Sequence, residues 1–137
     1  MTITGRTAGA VSSVRATLAC GADTAARARR MARDFLGGLP SPAPAEVADA
    51  IDLVVSELVT NAVRHARSEV CSIELTGVAE GVRIAVSDLD PTPPRPRTPD
   101  LHGGGGFGWP LVRRLSTSVE VESHAAGKTV CAVVATG

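Results

Sequence analysis

At 137 residues, 44% of them apolar, the chain has the size of one compact domain with a real core. Fourteen basic and fourteen acidic residues balance, which argues against a general electrostatic field for nucleic acid or a membrane surface, and no apolar run reaches the roughly 18 residues of a membrane span. Three widely spaced cysteines without a C-x-x-C pattern, and only Phe35, Phe107 and Trp109 as aromatics, argue against a zinc or disulfide framework and against a base-stacking reader of single strands.

The opening "MTITGRTAGAVSS" carries no long apolar stretch, so no secretory signal is expected. Residues 1–10 are expected to be a tail and 11–137 a single domain, with the cysteines as small buried hydrophobes in a reducing cytoplasm. Residues 11–19, "VSSVRATLA", suit a first strand. "DTAARARRMARDFLGG" reads as a helix that Asp23 can cap and Gly37-Gly38 end, and "LPSPAP" is a proline loop. From Ala45 to about Arg67 the spacing predicts a long helix, with Val47, Ile51, Val54, Val55, Leu58, Ala62 and Ala66 on one face. The period then changes to two. Cys71, Ile73 and Leu75 alternate with polar residues, "GVAEG" reads as a hairpin turn, and "VRIAVSD" is the returning strand. Residues 89–106 hold five prolines and four glycines and predict an irregular loop. A helix over about 108–116 follows, then two strands, "VEVES" and "TVCAVVAT", joined by "HAAGK". Strands joined by short turns pair antiparallel. The order predicts an α+β, two-layer α/β sandwich: a mixed, mostly antiparallel sheet with helices on one face.

Three places do not suit a bland domain. On the long helix, Glu57, Asn61 and His65 stand four apart in "SELVTNAVRHA" and stack on one side, beside the apolar face. An asparagine oxygen can ligate magnesium, and a glutamate there can orient or deprotonate a nucleophile; a solvated polar stripe is the plain alternative. Asp88 keeps the parity of Val82, Ile84 and Val86, so it points toward the core and needs a donor. Amides of the following loop, Arg95 or a ligand amine such as that of adenine could supply one, and a strand-end aspartate capping a turn is the plain alternative. "HGGGGFGWPLVRR" at 102–114 places bare backbone at the start of a helix, where free N–H groups attract anions; Pro110 is tolerated in that first turn. A flexible linker is the plain alternative here. Gly103, Gly105 and Gly108 also satisfy G-x-G-x-x-G, but far from the first strand of a βαβ unit, so a nicotinamide oxidoreductase has little support.

Taken together, "ELVTNAVRHA", "VSDLDP" and "GGGGFGWPLV", in that order, resemble the N, G1 and G2 boxes of the Bergerat ATP-binding fold. The match is most similar to the small bacterial anti-sigma-factor serine kinases of partner-switching systems, and it runs from about residue 11 through the closing "GKTV". The resemblance implies ATP and magnesium as cofactors. It makes Asn61 the magnesium holder, Glu57 the general base and Asp88 the acceptor of the adenine amine. Gly104, Gly106 and Gly108, with Phe107 between the last two, become phosphate-facing backbone, and Thr129 a residue at the adenine end of the pocket. His65 stands with the cofactor-binding group, loop 89–106 is the lid, and His102, Arg95 or Arg97 would reach phosphate from it. The implied partners are an anti-sigma-factor antagonist, a sigma factor or both, in the cytoplasm, with no direct nucleic acid or membrane contact; homodimerisation through a sheet edge or the first strand is a further expectation.

The resemblance has two departures. The G1 stretch reads Asp88-Leu89-Asp90-Pro91-Thr92 where the family usually has Asp-x-Gly-x-Gly, and Pro110 stands where a small or aliphatic residue is usual. The altered box motivates a second expectation, a non-catalytic nucleotide-binding module that sequesters a protein partner. Nothing in the sequence resembles a dimerisation helix with a phospho-accepting histidine.

Overall fold

The computed structural model describes residues 2–8, 11–64, 69–89 and 108–136. The elements in chain order are β1 (Thr2–Ala8), β2 (Val11–Ala19), α1 (Thr24–Gly37), α2 (Ala45–Arg64), β3 (Val70–Val78), β4 (Gly81–Asp88), α3 (Gly108–Leu115), β5 (Ser118–His124) and β6 (Gly127–Ala135). Six strands form one sheet in the order β1-β2-β3-β4-β6-β5, and every neighbouring pair is antiparallel. The expected sandwich is therefore present, with no parallel pairing in the described sheet.

The period-two pattern sorts each strand into two faces. Ala16 and Leu18 of β2, Cys71, Ile73 and Leu75 of β3, Val82, Ile84 and Val86 of β4, and Val130, Ala132 and Val134 of β6 are buried on the helix side. Against them α2 lays Ile51, Val54, Val55, Leu58, Val59 and Ala62, and α1 adds Ala28, Met31, Ala32 and Leu36. Arg33–Asp52 at 3.6 Å and Arg29–Ser56 at 3.1 Å tie the two helices together at their polar margin.

Two local details depart from expectation. Residues 1–10, expected as a tail, include β1, which pairs with β2 from Thr2↔Thr17 to Ala8↔Val11. Pairing there covers what would otherwise be a bare row of β2 amides and carbonyls. Asp23 stands at the N-cap of α1 without a side-chain capping bond; its carboxylate instead pairs with Arg27 at 3.0 Å. The buried Thr24 hydroxyl secures that end, donating to the Ala19 carbonyl at 2.7 Å and accepting the Gly21 N–H at 2.7 Å. The long helix is described to Arg64, so its expected last turn lies outside the described residues.

Candidate functional site

The candidate residues lie on α2 and on the adjoining strands β4 and β6 over which it packs, and at the start of α3. On α2, Glu57 and Asn61 are one turn apart and half-buried, flanked by the buried Leu58 and Ala62 that fix the helix to the sheet. Neither side chain makes a hydrogen bond or ion pair among the described residues. The first residue of α3, Gly108, is buried directly against Glu57: a Cβ at that position would overlap the Glu57 carboxylate. Absence of a side chain is thus a condition for the start of α3 to lie where it does. Pro110 sits in the first turn, and the Arg113 guanidinium lies 5.3 Å from the centre of the Trp109 ring.

Asp88 ends β4 and points inward, as its parity requires, with 4% of its surface exposed. Its donor is a residue not considered from sequence. Lys128, fully buried, brings Nζ to 2.8 Å from one carboxylate oxygen and 3.1 Å from the other. The register makes this pair unavoidable, because Asp88 lies directly opposite Lys128. Lys128 opens the inward series Lys128, Val130, Ala132, Val134, just as Asp88 closes Val82, Ile84, Val86. The parity argument that turned Asp88 inward, applied to "GKTVCAVV", turns Lys128 inward too, but only the β4–β6 register brings the two together. Gly127 makes the approach possible: its φ is +155°, and a Cβ there would overlap the Asp88 carbonyl.

Thr129 requires a correction. One step along from Lys128, it falls on the opposite face of the sheet, where its hydroxyl lies 2.8 Å from that of Ser87. It does not share a face with Asp88; the strand alternation gives that place to Lys128. Gly104, Gly106, Phe107, His65, His102, Arg95 and Arg97 lie outside the described residues.

Two thiols lie close to the sheet end of the site. Burial pushes the Cys71 thiol up to about 12, with the neighbouring Cys20 and then the Asp88 charge adding to the effect. Cys20 is raised as well, again chiefly by burial. Both are neutral at ordinary pH, and all three cysteines are free.

A sheet covered on one face by helices, with an acidic–carboxamide pair on the central helix and an inward strand-end aspartate, is the architecture of a histidine-kinase-like ATPase domain. The chain belongs to that family: the model of the histidine kinase-like ATPase domain matches residues 19–134. Among solved structures, the RsbU and RsbW domains of Rv1364c from Mycobacterium tuberculosis share the fold, with a TM-score of 0.65 at 20% identity over 88% of this chain. The present chain spans 31% of that protein's chain. A histidine kinase domain from the blue-light-activated kinase of Erythrobacter litoralis EL346 also matches, with a TM-score of 0.49 at 27% identity over 68% of this chain and 46% of its own. No curated protein matches the chain. Among the described residues, no helix is long and apolar enough to cross a membrane.

The family implies ATP, and the two ends of the site fit it unequally. At the helix end, the Glu57 carboxylate adjoins the bare backbone that begins α3 and the Asn61 carboxamide lies one turn on, neither with a partner among the described residues, which suits a triphosphate with its metal. A single carboxamide oxygen also suits magnesium, which is usually held by one or two protein groups plus substrate phosphates and waters. Among the described residues there is no cluster of three or more His, Cys, Asp or Glu that would hold a metal by itself. At the sheet end the fit is weaker, because the carboxylate that should accept a base amine is already shared with Lys128, which leaves a base only its remaining lone pairs.

Proposed function

We propose that this chain is an ATP- and magnesium-dependent protein serine/threonine kinase of the anti-sigma-factor, partner-switching type. It would phosphorylate a small antagonist protein in the cytoplasm and so control which partner, antagonist or sigma factor, is held. The observation that carries this reading is the juxtaposition of Glu57 with Gly108, one helical turn from Asn61. Phosphoryl transfer asks little of a protein beyond positioning and charge neutralisation, and bound magnesium would supply the latter. Glu57, half-buried against the start of α3, would accept the proton of a serine hydroxyl. Asn61 offers the carboxamide oxygen that would hold the metal. The glycines before Trp109 in the sequence carry no side chain that would keep a phosphate from the main chain, and the likeness of fold to an RsbW domain supports the partner class.

The decisive test is transfer of label from γ-labelled ATP to a candidate antagonist with magnesium present. Glu57→Gln is expected to abolish transfer while nucleotide binding persists, and Asn61→Ala to weaken magnesium-dependent binding. Failure of the wild-type protein to bind any nucleotide with magnesium would overturn the proposal.

A second reading has an observation of its own. The engaged Asp88 favours a module that binds its protein partner without catalysis. Partner binding that is indifferent to ATP and to Glu57→Gln would select it.

A further inference from the structure

We infer that Lys128 is an affinity- and base-specificity-determining residue of the nucleotide site: an internal cation already seated on the carboxylate that a base amine would need. The inference rests on the proposed nucleotide-binding reading. It starts from three facts of geometry. Asp88 and Lys128 are paired by register, Nζ reaches both carboxylate oxygens, and the pair is sealed, with Lys128 fully buried and Asp88 nearly so.

An adenine amine is a neutral donor. A lysine ammonium is a charged one, and charge-assisted hydrogen bonds are roughly twice as strong as neutral ones. In a buried setting the ammonium also supplies the countercharge that an isolated carboxylate lacks, so the amine cannot displace it without leaving two uncompensated charges. The base must therefore share the carboxylate or do without it. Either way the selectivity that a dedicated acceptor confers is largely lost, because rejection of an analogue depends on a buried group being left unpaired by it. Here Asp88 is not left unpaired by any base. Affinity must then come from the triphosphate end, where Glu57 and Asn61 have no partner among the described residues and Gly108 offers bare backbone.

The same geometry explains how the pair is accommodated inside the fold. Gly127 removes the side chain that would hold β6 away from Asp88, and the lysine stem packs in line with Val130 on the core face. The structure thus has an internal substitute for the ligand group at one end of the site.

The experiment compares ATP with ITP, which carries a carbonyl in place of the amine, by calorimetric titration with magnesium on the wild type, Lys128→Met, Lys128→Ala and the double variant Lys128→Met/Asp88→Asn. Thermal melting confirms that each is folded. The wild type is expected to bind the two nucleotides within about threefold of each other, and the single Lys128 variants to prefer ATP by about tenfold or more, the range of one hydrogen bond to a charged group. The double variant, which keeps the pair's volume without its charges, is expected to lose that preference again. A purely structural lysine would change both affinities together and leave their ratio alone. Should the folded Lys128 variants show the wild-type ATP/ITP ratio, or should the wild type already prefer ATP by tenfold, the inference falls while the nucleotide-binding reading stands. If neither the wild type nor any variant binds either nucleotide, both fall. Binding confined to the Lys128 variants supports the inference and removes the kinase reading from the natural protein.

Discussion

The two ends of the site solve opposite problems. At the helix end, Glu57 and Asn61 are half-buried and without partners among the described residues, carried by the packing of α2 and by a glycine that makes room for a carboxylate. At the sheet end, Asp88 is sealed and paired, with its partner supplied by the chain itself. Polar groups left without partners beside a core carry a desolvation cost, so a fold that keeps them has them directed at something outside itself. Polar groups already satisfied inside report on stability first and on ligands second. The contrast locates recognition at the helix end and restraint at the sheet end, although both sit in one family of fold.

The largest effect that can test this contrast is on stability. Removing one member of a buried ion pair leaves an uncompensated charge and costs about 3–5 kcal/mol, whereas replacing both by neutral groups of similar volume is close to neutral. Asp88→Ala and Lys128→Ala are therefore expected to lower the denaturant midpoint sharply, and Asp88→Asn/Lys128→Met to recover most of the loss. Additive losses in the double variant would mean that the two side chains act separately, and the sealed sheet end would be misread. Gly127→Ala comes next. It forces a side chain into a glycine-only φ and onto the Asp88 carbonyl, so a loss of about 3 kcal/mol is expected by thermal melting.

Much of this was legible in the sequence because the underlying signals are local. The apolar spacing of α2, the alternation in β3 and β4 and the inward parity of Asp88 are properties of neighbouring residues, and each survives in the structure. What was not legible depended on register. Lys128 meets Asp88 only because β6 pairs with β4, a pairing that skips β5 and that no turn length announces. Thr129 was assigned by motif alone, and the strand alternation sends it to the other face. Residues 2–8 read as a tail because a short polar-alternating strand is indistinguishable from one until its partner edge is known. Gly108 was expected to face phosphate through its missing side chain. The structure gives that absence a reason inside the protein, the room it leaves for Glu57.

At the helix end the expected effect on stability is smaller and the effect on chemistry larger. Gly108→Ala drives a methyl into the tip of the Glu57 side chain, which is flexible and can swing away. Unfolding free energy is expected to change by no more than about 1 kcal/mol. The proposed phosphotransfer should fall by about 100-fold, the usual consequence of misplacing a reacting group by an ångström. Circular dichroism melts set beside labelled-phosphate transfer would separate the two. A Gly108→Ala protein as active as the wild type would show that the carboxylate's position is immaterial.

The smallest effect at neutral pH belongs to Cys71, and it tests how well the sheet end is sealed. The thiolate is the reactive form, and burial has pushed this thiol from 9.0 to about 12, so iodoacetamide at pH 8 should modify native Cys71 far more slowly than the unfolded chain. The sign of its pH dependence follows from the same shift. Between pH 9 and 12 the unfolded chain has lost the proton that the native state still holds, so the native state binds more protons and stability falls as pH rises through that window. Below pH 9 both states are protonated and the thiol contributes no pH dependence. Because the Asp88 charge is one of the causes of the shift, disturbing the ion pair should alter the alkylation rate of Cys71, whereas Gly108→Ala at the other end should not. Rapid labelling of native Cys71 at pH 8 would mean that the sheet end opens in solution, and that Lys128 holds Asp88 less firmly than its two short contacts imply.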